Sequence, residues 1–260
     1  MKLEFLGTGG GRYVTGMQRR KTAGIVVETE ETQVHVDPGP GAVVEANEQN
    51  VAEDTEAVIV SHGHLDHSND AEAVIEMMTE AYDQEGAVFA NETVLRGHGN
   101  IEKRVSDFHQ ESCGRVEKLE EGSETEFRDL EIRSQELFHS DPKTQGFVLE
   151  TEEKSVGFWT DTEFSEELLD FYSGVDVMVV YCSRPKGENV PTHTSLDQIP
   201  GIVEEVEPNA VIVTHFGFKF LDSDMEQQEK WLKEQVDCRV IFAEDGMEFP
   251  GDAKLSRFAS

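Results

Sequence analysis

Residues His62-Gly63-His64-Leu65-Asp66-His67 follow directly on the apolar run Ala57-Val58-Ile59-Val60. Each neutral His offers one nitrogen lone pair and Asp adds a charged oxygen, so this density of donors points to metal. On a strand, alternation would put His62 and His64 on one face. A tight turn after the strand would swing Asp66 and His67 to a neighbouring position. The spacing therefore suggests two metal ions, with one pair of ligands for each. A solvated loop rich in His by chance is a poor rival, because the chain has only 9 His in 260 residues. The rest of the chain should supply the missing ligands.

Periodicity places the cluster in an α/β frame. Residues 3–6 read as a strand ending in Gly7-Thr8-Gly9-Gly10-Gly11, and 24–28 with 33–37 as a hairpin around an acidic turn. Pro38-Gly39-Pro40-Gly41 breaks the chain before a helix at 42–47. A strand at 57–60 leads into the His cluster. A helix spans 70–83 through Ala73, Ile75, Met77, Met78 and Ala81, and a buried strand follows at 87–90. The second half gives strands at 114–118, 124–128, 130–136, 146–150 and 155–159, then a helix at 163–172. Strands at 176–181, 210–214 and 239–243 alternate with helices at 195–206 and 224–235. Two α/β halves sharing one core, sheets inside and helices outside, follow from this order. No linker divides them, so residues 1–260 are expected to form a single domain, with Lys254 to Ser260 loose.

The formal charge is −32, from 54 acidic and 22 basic residues. The acids are spread along the whole length and not in blocks, which suits a halophilic protein in a salt-rich cytosol where repulsion is screened. The bulk surface should repel nucleic acid at low salt. Cys113, Cys182 and Cys238 are odd in number and far apart, so neither a disulfide framework nor a Cys-based zinc knuckle is expected. Met1 to Leu6 reads as a strand and not a signal peptide, and no apolar run reaches membrane-spanning length. A cytoplasmic protein with no membrane partner is expected.

Four more candidates stand after apolar strands or before a helix, where α/β folds place their chemistry: His139, Asp161, His193 and His215. With them the chain resembles the metallo-β-lactamase-fold hydrolases, in the branch containing tRNase Z and the PhnP-like phosphodiesterases. The resemblance is carried by Leu6-Gly7-Thr8-Gly9, Val36-Asp37, the 62–67 cluster, His139, Thr160-Asp161, His193-Thr194-Ser195 and Thr214-His215-Phe216-Gly217. It implies a four-layer αββα sandwich with the site along one edge. It also implies that His62, His64 and His139 bind one metal, that Asp66, His67 and His215 bind the other, and that Asp161 bridges them. Asp37 resembles the carboxylate that orients the ligand imidazoles. The implied cofactors are two divalent ions; Zn2+ suits so many His, with Mn2+ or Fe2+ as alternatives. Homodimers are common in this branch.

His193 completes neither metal set. By resemblance it is the general acid for a leaving alkoxide or a stabiliser of transition-state charge, and it and Asp66 are the residues expected to be catalytic. The competing reading has Thr194 or Ser195 capping the helix that follows, with His193 incidental. Charge distribution bears on the substrate. Segments 7–24, 182–195 and 214–220 hold 39 residues and one acid, Glu188, where 54 in 260 gives about eight. They carry Arg12, Arg19, Arg20, Lys21, Arg184, Lys186 and Lys219. Arg12, Arg19, Arg20 and Arg184 are therefore the expected substrate-binding residues, since phosphate recognition uses such groups. The expected activity is a phosphodiesterase, in which a hydroxide bridging the metals attacks phosphorus on a phosphate ester, a nucleotide or RNA. A carboxyl-ester, lactone or thioester hydrolase is the second reading, and a nucleic-acid-binding or regulatory protein with little catalysis the third. Asp161 follows His139 by 22 positions, too few for the tRNA-holding arm of tRNase Z enzymes. His215 follows Asp161 by 54, too few for the extra domain of the RNA exonucleases. A compact phosphodiester is favoured over folded RNA.

Overall fold

A computed structural model of the chain describes residues 1–80 and 85–249. The first sheet contains β1 (Lys2–Phe5), β2 (Ile25–Glu28), β3 (Gln33–Val36), β4 (Ala57–Val60), β5 (Ala87–Ala90) and β6 (Arg115–Lys118), joined on its outer side by β15 (Met247–Phe249). Its order is β15-β1-β2-β3-β4-β5-β6. The β15–β3 side is antiparallel and the β3–β6 side parallel. The second sheet contains β7 (Glu124–Phe127), β8 (Leu130–Glu136), β9 (Gln145–Glu150), β10 (Ser155–Trp159), β11 (Val177–Arg184), β13 (Ala210–Thr214) and β14 (Arg239–Phe242). It runs β14-β13-β11-β10-β9-β8-β7, with the two-residue β12 (Thr194–Ser195) paired to β11.

Alternation along the strands decides what each face buries. Leu3, Phe5, Val34, Val36, Ile59 and Phe89 of the first sheet meet Ile132, Phe147, Phe158, Val179 and Ile212 of the second in one central core. The opposite faces are also apolar. Val26, Val58 and Val60 pack under α2 (Ala42–Glu48), α4 (Ala71–Met78) and α5 (Glu92–Arg96). Trp159, Met178, Val180, Val211 and Val213 pack under α7 (Ile199–Val206) and α9 (Met225–Lys233). Strands covered on both faces read as continuous apolar runs, which is why β4 and β13 show no alternation in sequence. The result is the expected αββα order of layers.

The differences from expectation are local. The helix expected at 70–83 runs from Ala71 to Met78, and positions 81–83 lie outside the described residues, as do Lys254 to Ser260. Residues 166–172 form a 3-10 helix that buries Leu168, Leu169 and Tyr172. The helix expected from 195 begins as a 3-10 turn at 196–198 and becomes α7 at Ile199, with Pro200 in its first turn. Four short helices were not foreseen: α1 (Arg12–Met17), α3 (Leu65–Ser68), α6 (Asp107–Ser112) and α8 (Phe218–Leu221). Nor were α5 and β15. No helix among the described residues is long and apolar enough to cross a membrane.

Candidate metal centre

The candidate residues leave the strands at one edge of the sandwich. Asp37 ends β3, the 61–67 turn follows β4, His139 follows β8, Asp161 follows β10 and His215 follows β13. Asp37 and His215 hold left-handed backbone, φ 50° and 61°, as the chain turns sharply off the sheet. The region is sparsely populated for residues with a Cβ.

The side chains converge in two groups. His62 Nε2 lies 2.9 Å from His64 Nδ1, and His139 Nε2 lies 3.1 Å from the same atom. His215 Nε2 lies 3.1 Å from His67 Nε2 and 3.3 Å from Asp66 Oδ2. Asp161 stands between: its Oδ2 is 3.6 Å from His67 Nε2 and 3.8 Å from His139 Nε2, and its Oδ1 is 3.2 Å from His215 Nδ1. His62/His64/His139 and Asp66/His67/His215 each bring one donor atom per residue within 4.8 Å of the others. All seven expected ligands are thus together.

Their surroundings fix which nitrogen faces the centre. His67 Nδ1 donates to Asp37 Oδ2 at 3.0 Å. His139 Nδ1 donates to the Thr192 carbonyl at 2.8 Å. His62 Nδ1 meets Ser61 Oγ at 3.0 Å, and that hydroxyl donates to Asp37 Oδ2 at 2.8 Å. In all three the Nε2 lone pair is left toward the cluster. Asp37 therefore sets a ligand of each group, one directly and one through Ser61. The Gly11 amide donates to Asp66 Oδ2 at 2.6 Å. Gly10 passes so close to His215 that a Cβ there would lie 2.2 Å from its ring.

Burial depresses His62, assisted by the imidazoles of His67, His139 and His64. It takes His64 down to about 4 and lowers His139 as well. These three are neutral, as ligands must be. Burial also disfavours charge on Asp66 and Asp161, but neighbouring imidazoles outweigh it and hold both carboxyls well below the usual range. His67 is raised, because Asp66 and Asp37 outweigh its burial. Surroundings that retain a proton there equally favour a cation. Three ring nitrogens meeting at one point cannot all donate to one another, and Asp161 Oδ1 and His215 Nδ1, though 3.2 Å apart, are buried with no well-aligned hydrogen bond among the described residues. The donor set fits two divalent cations.

His193 sits beside these groups. Its Nδ1 is 3.7 Å from Asp161 Oδ2 and its ring 5.0 Å from that of His139. Burial would lower it, but the Asp161 charge outweighs that and raises it. Ser195 does cap the following turn, in a capping box with Gln198. Capping and a position at the site coexist.

The expected substrate-binding arginines part company. Arg20 donates to Thr8 Oγ1 and to the Ala243 carbonyl, both at 2.8 Å, with its guanidinium over Phe216. Arg19 pairs with Asp222 at 2.6 Å. Lys21 pairs with Glu45 and Lys219 with Glu188. Arg12 is exposed on α1, without a side-chain partner among the described residues. Arg184 is half-buried, its Nε enclosed without a hydrogen-bond partner among the described residues.

Asp141, Arg104 and Tyr181, none of them expected from the sequence, also shape the centre. Asp141 Oδ2 accepts from the Gly63 amide at 2.9 Å, while Arg104 Nε donates to the Gly63 carbonyl at 2.7 Å. Tyr181 stacks on His215, with centroids 5.2 Å apart and planes at 7°. Only the place of Asp141, two after His139, offered a signal.

A family model described as a beta-lactamase superfamily domain matches residues 32–216. The uncharacterized protein MJ1374 of Methanocaldococcus jannaschii is 32% identical over 251 residues, 95% of this chain and 94% of that protein. Among solved structures, the metallo-beta-lactamase fold protein YhfI of Bacillus subtilis has a TM-score of 0.79 at 15% identity, covering 95% of this chain and 98% of that one. A diphosphatase of the PhnP family gives 0.70 at 16% identity, with 95% and 96% covered. The short form of human tRNase Z gives 0.70 at 14% identity, with 96% and 99% covered.

Proposed function

The chain belongs to the metallo-β-lactamase superfamily of metal-dependent hydrolases, and we propose that within it the protein is a dinuclear phosphodiesterase acting on a compact phosphate ester. The observation that carries this reading is the meeting of His193 and Arg184 beside the ligand cluster. Arg184 stands opposite Ser195 across the β11–β12 pairing, two residues from His193. Among the described residues no carboxylate lies within salt-bridge distance of its guanidinium, whose charge reaches Glu188 only at longer range. An oxyanion is the natural occupant of such a guanidinium.

His62, His64 and His139 would hold one cation, Asp66, His67 and His215 the other, with Asp161 shared. Zinc suits this donor set, and manganese or iron(II) also accept imidazole and carboxylate. Bound there, such ions supply Lewis acidity and bring the pKa of a coordinated water to about 7. The chain's own residues do the rest. Asp37 and Ser61 keep the ligand tautomers. Gly11 and Gly10 hold Asp66 and His215 in place. Arg184 takes a non-bridging phosphate oxygen, with Arg12 free to reach the same substrate from α1. His193 donates a proton to the departing oxygen. Arg20 and Arg19 brace the 7–24 loop. The β9–β10 hairpin occupies the interval between His139 and Asp161, so nothing there resembles an arm for folded RNA. Three free thiols suit a reducing cytoplasm.

The test is a panel of phosphodiesters, carboxyl esters, lactones and thioesters with the zinc- or manganese-loaded protein in molar potassium chloride. Phosphodiester turnover is expected. His193→Ala should lower it roughly 100-fold or more while metal content is unchanged. Metal loss in that variant would make His193 a ligand, turnover of esters alone would move the reaction to carbonyl chemistry, and turnover of nothing would leave a binding protein.

A further inference from the structure

Large apolar side chains are exposed at few places among the described residues, and four of them lie next to the metal centre: Tyr13, Leu65, Phe138 and Phe218. Leu65 lies between His64 and Asp66, Phe138 precedes His139, and Phe218 follows His215 by three positions. Tyr13 is 55% and Phe218 38% exposed, yet their rings meet edge to face, with centroids 5.7 Å apart. The Arg184 guanidinium carbon lies over Phe218, 5.8 Å from the ring centre. Tyr13 stands in the first turn of α1, two residues after the amide that holds Asp66 Oδ2. Phe218 opens α8 directly after the His215 turn. Arg184, Phe218 and Tyr13 thus form a continuous strip along the rim of the centre.

An exposed aromatic pair leaves apolar area in water, and covering it is favourable. The occupant must be apolar and planar against the rings, and must carry an anionic oxygen to Arg184. The strip adjoins the metal centre, where the phosphate ester of the proposed reaction would lie, and this favours part of the substrate over a second protein surface as its occupant. We propose that Tyr13, Phe218 and Arg184 form a subsite for a nucleotide, the base stacking on the two rings and a phosphate oxygen meeting Arg184. This rests on the phosphodiesterase reading and specifies its substrate class as nucleotidyl esters.

Binding tests it without turnover. Adenosine 5′-monophosphate and ribose 5-phosphate share the phosphate and the sugar and differ in the base. Titration calorimetry of both into the zinc-loaded protein should show the adenosine ligand binding at least about tenfold tighter, the effect of one base–aromatic stack. Tyr13→Ala and Phe218→Leu should bring its affinity toward that of ribose 5-phosphate and leave ribose 5-phosphate unchanged. Arg184→Gln should weaken both ligands by a similar factor. Circular dichroism and metal content check that each variant is folded and loaded. Equal affinities in the wild type, or Tyr13→Ala weakening both ligands alike, would overturn the subsite. A dimer that Tyr13→Ala converts to monomer would also overturn it, by giving the rings to a second copy. Hydrolysis of bis(p-nitrophenyl) phosphate on the same samples keeps the two readings apart. Turnover without base preference refutes the subsite alone; base preference without turnover refutes the phosphodiesterase alone.

Discussion

Gly63 separates two ligand histidines, and its peptide is gripped at both ends. Asp141 takes the amide and Arg104 the carbonyl, while Thr93 Oγ1 and the Lys143 amide donate to the second oxygen of Asp141, at 2.7 and 3.0 Å. Asp141 is fully buried, so its charge is tolerable only because these donors surround it. Removing the carboxylate leaves the Gly63 amide buried and unpaired and frees the turn that aims His62 and His64. Asp141→Ala should therefore weaken zinc binding roughly 10- to 100-fold, read by competition with a chelator of known affinity. Asp141→Asn keeps one acceptor oxygen and should fall between. Unchanged affinity in Asp141→Ala would show that the sheet alone fixes the turn. At this scale the ligands were legible because metal chemistry admits few side-chain types and the fold puts them at strand ends. Asp141, Arg104 and Tyr181 were not, because they act on a peptide group and on ring faces that only tertiary packing brings to them.

Strand β3 carries a buried titratable group with no part in the metal centre. His35 pairs in register with Val26 and Val58, its Nε2 donates to the Ala23 carbonyl at 2.8 Å, and its Nδ1 has no partner among the described residues. Burial in this apolar layer takes it down from 6.5 to about 4. Between those values the unfolded chain binds a proton that the folded chain refuses, so stability falls as pH is lowered through the window. The full loss from this one group across the window is on the order of 3.5 kcal/mol, at about 1.4 kcal/mol per unit. In His35→Gln the amide can still donate to Ala23, and the ionisation is gone. Urea unfolding at pH 7 and pH 5 should show the variant losing less stability than the wild type between the two. Equal losses would mean that His35 can take up a proton in the fold. Elements such as β3 were legible because β-branched runs between turn residues leave few alternatives. The missed helices have six residues or fewer, and α1 (Arg12-Tyr13-Val14-Thr15-Gly16-Met17) mixes β-branched residues with glycine. The contact of its neighbour Gly11 with Asp66, and not helix propensity, places it. Strand β15 is three residues long and exists by pairing with β1.

Across the whole molecule the net charge of −32 is unevenly placed. Most basic side chains are spoken for: Lys2 lies within 4.0 Å of Glu4, Glu28 and Glu248, and Arg128 pairs with Glu56. Among the described residues, some of the remaining acids share a groove. One groove beside β2 and β3 is lined by Glu28, Glu31, Glu53, Asp54, Glu56 and Glu85, with Arg128 its one basic residue among the described residues. Such repulsion raises the free energy of the compact state relative to the expanded chain, and salt screens it. The screening length falls from about 10 Å at 0.1 M to about 3 Å at 1 M, shorter than most separations in such a groove. Raising potassium chloride from 0.1 to 2 M should lift the thermal midpoint by on the order of 5–10 °C, since about 1 kcal/mol corresponds to roughly 2–4 °C at this chain length. Scanning calorimetry measures it. Neutralising Glu53, Asp54 and Glu85 together with Gln, Asn and Gln should raise the low-salt midpoint and flatten the salt dependence. General exclusion of salt from the protein surface would stabilise wild type and variant alike, so only repulsion predicts that their curves converge at high salt. A wild-type midpoint that stays flat from 0.1 to 2 M would mean that the expanded chain carries the same repulsion as the fold.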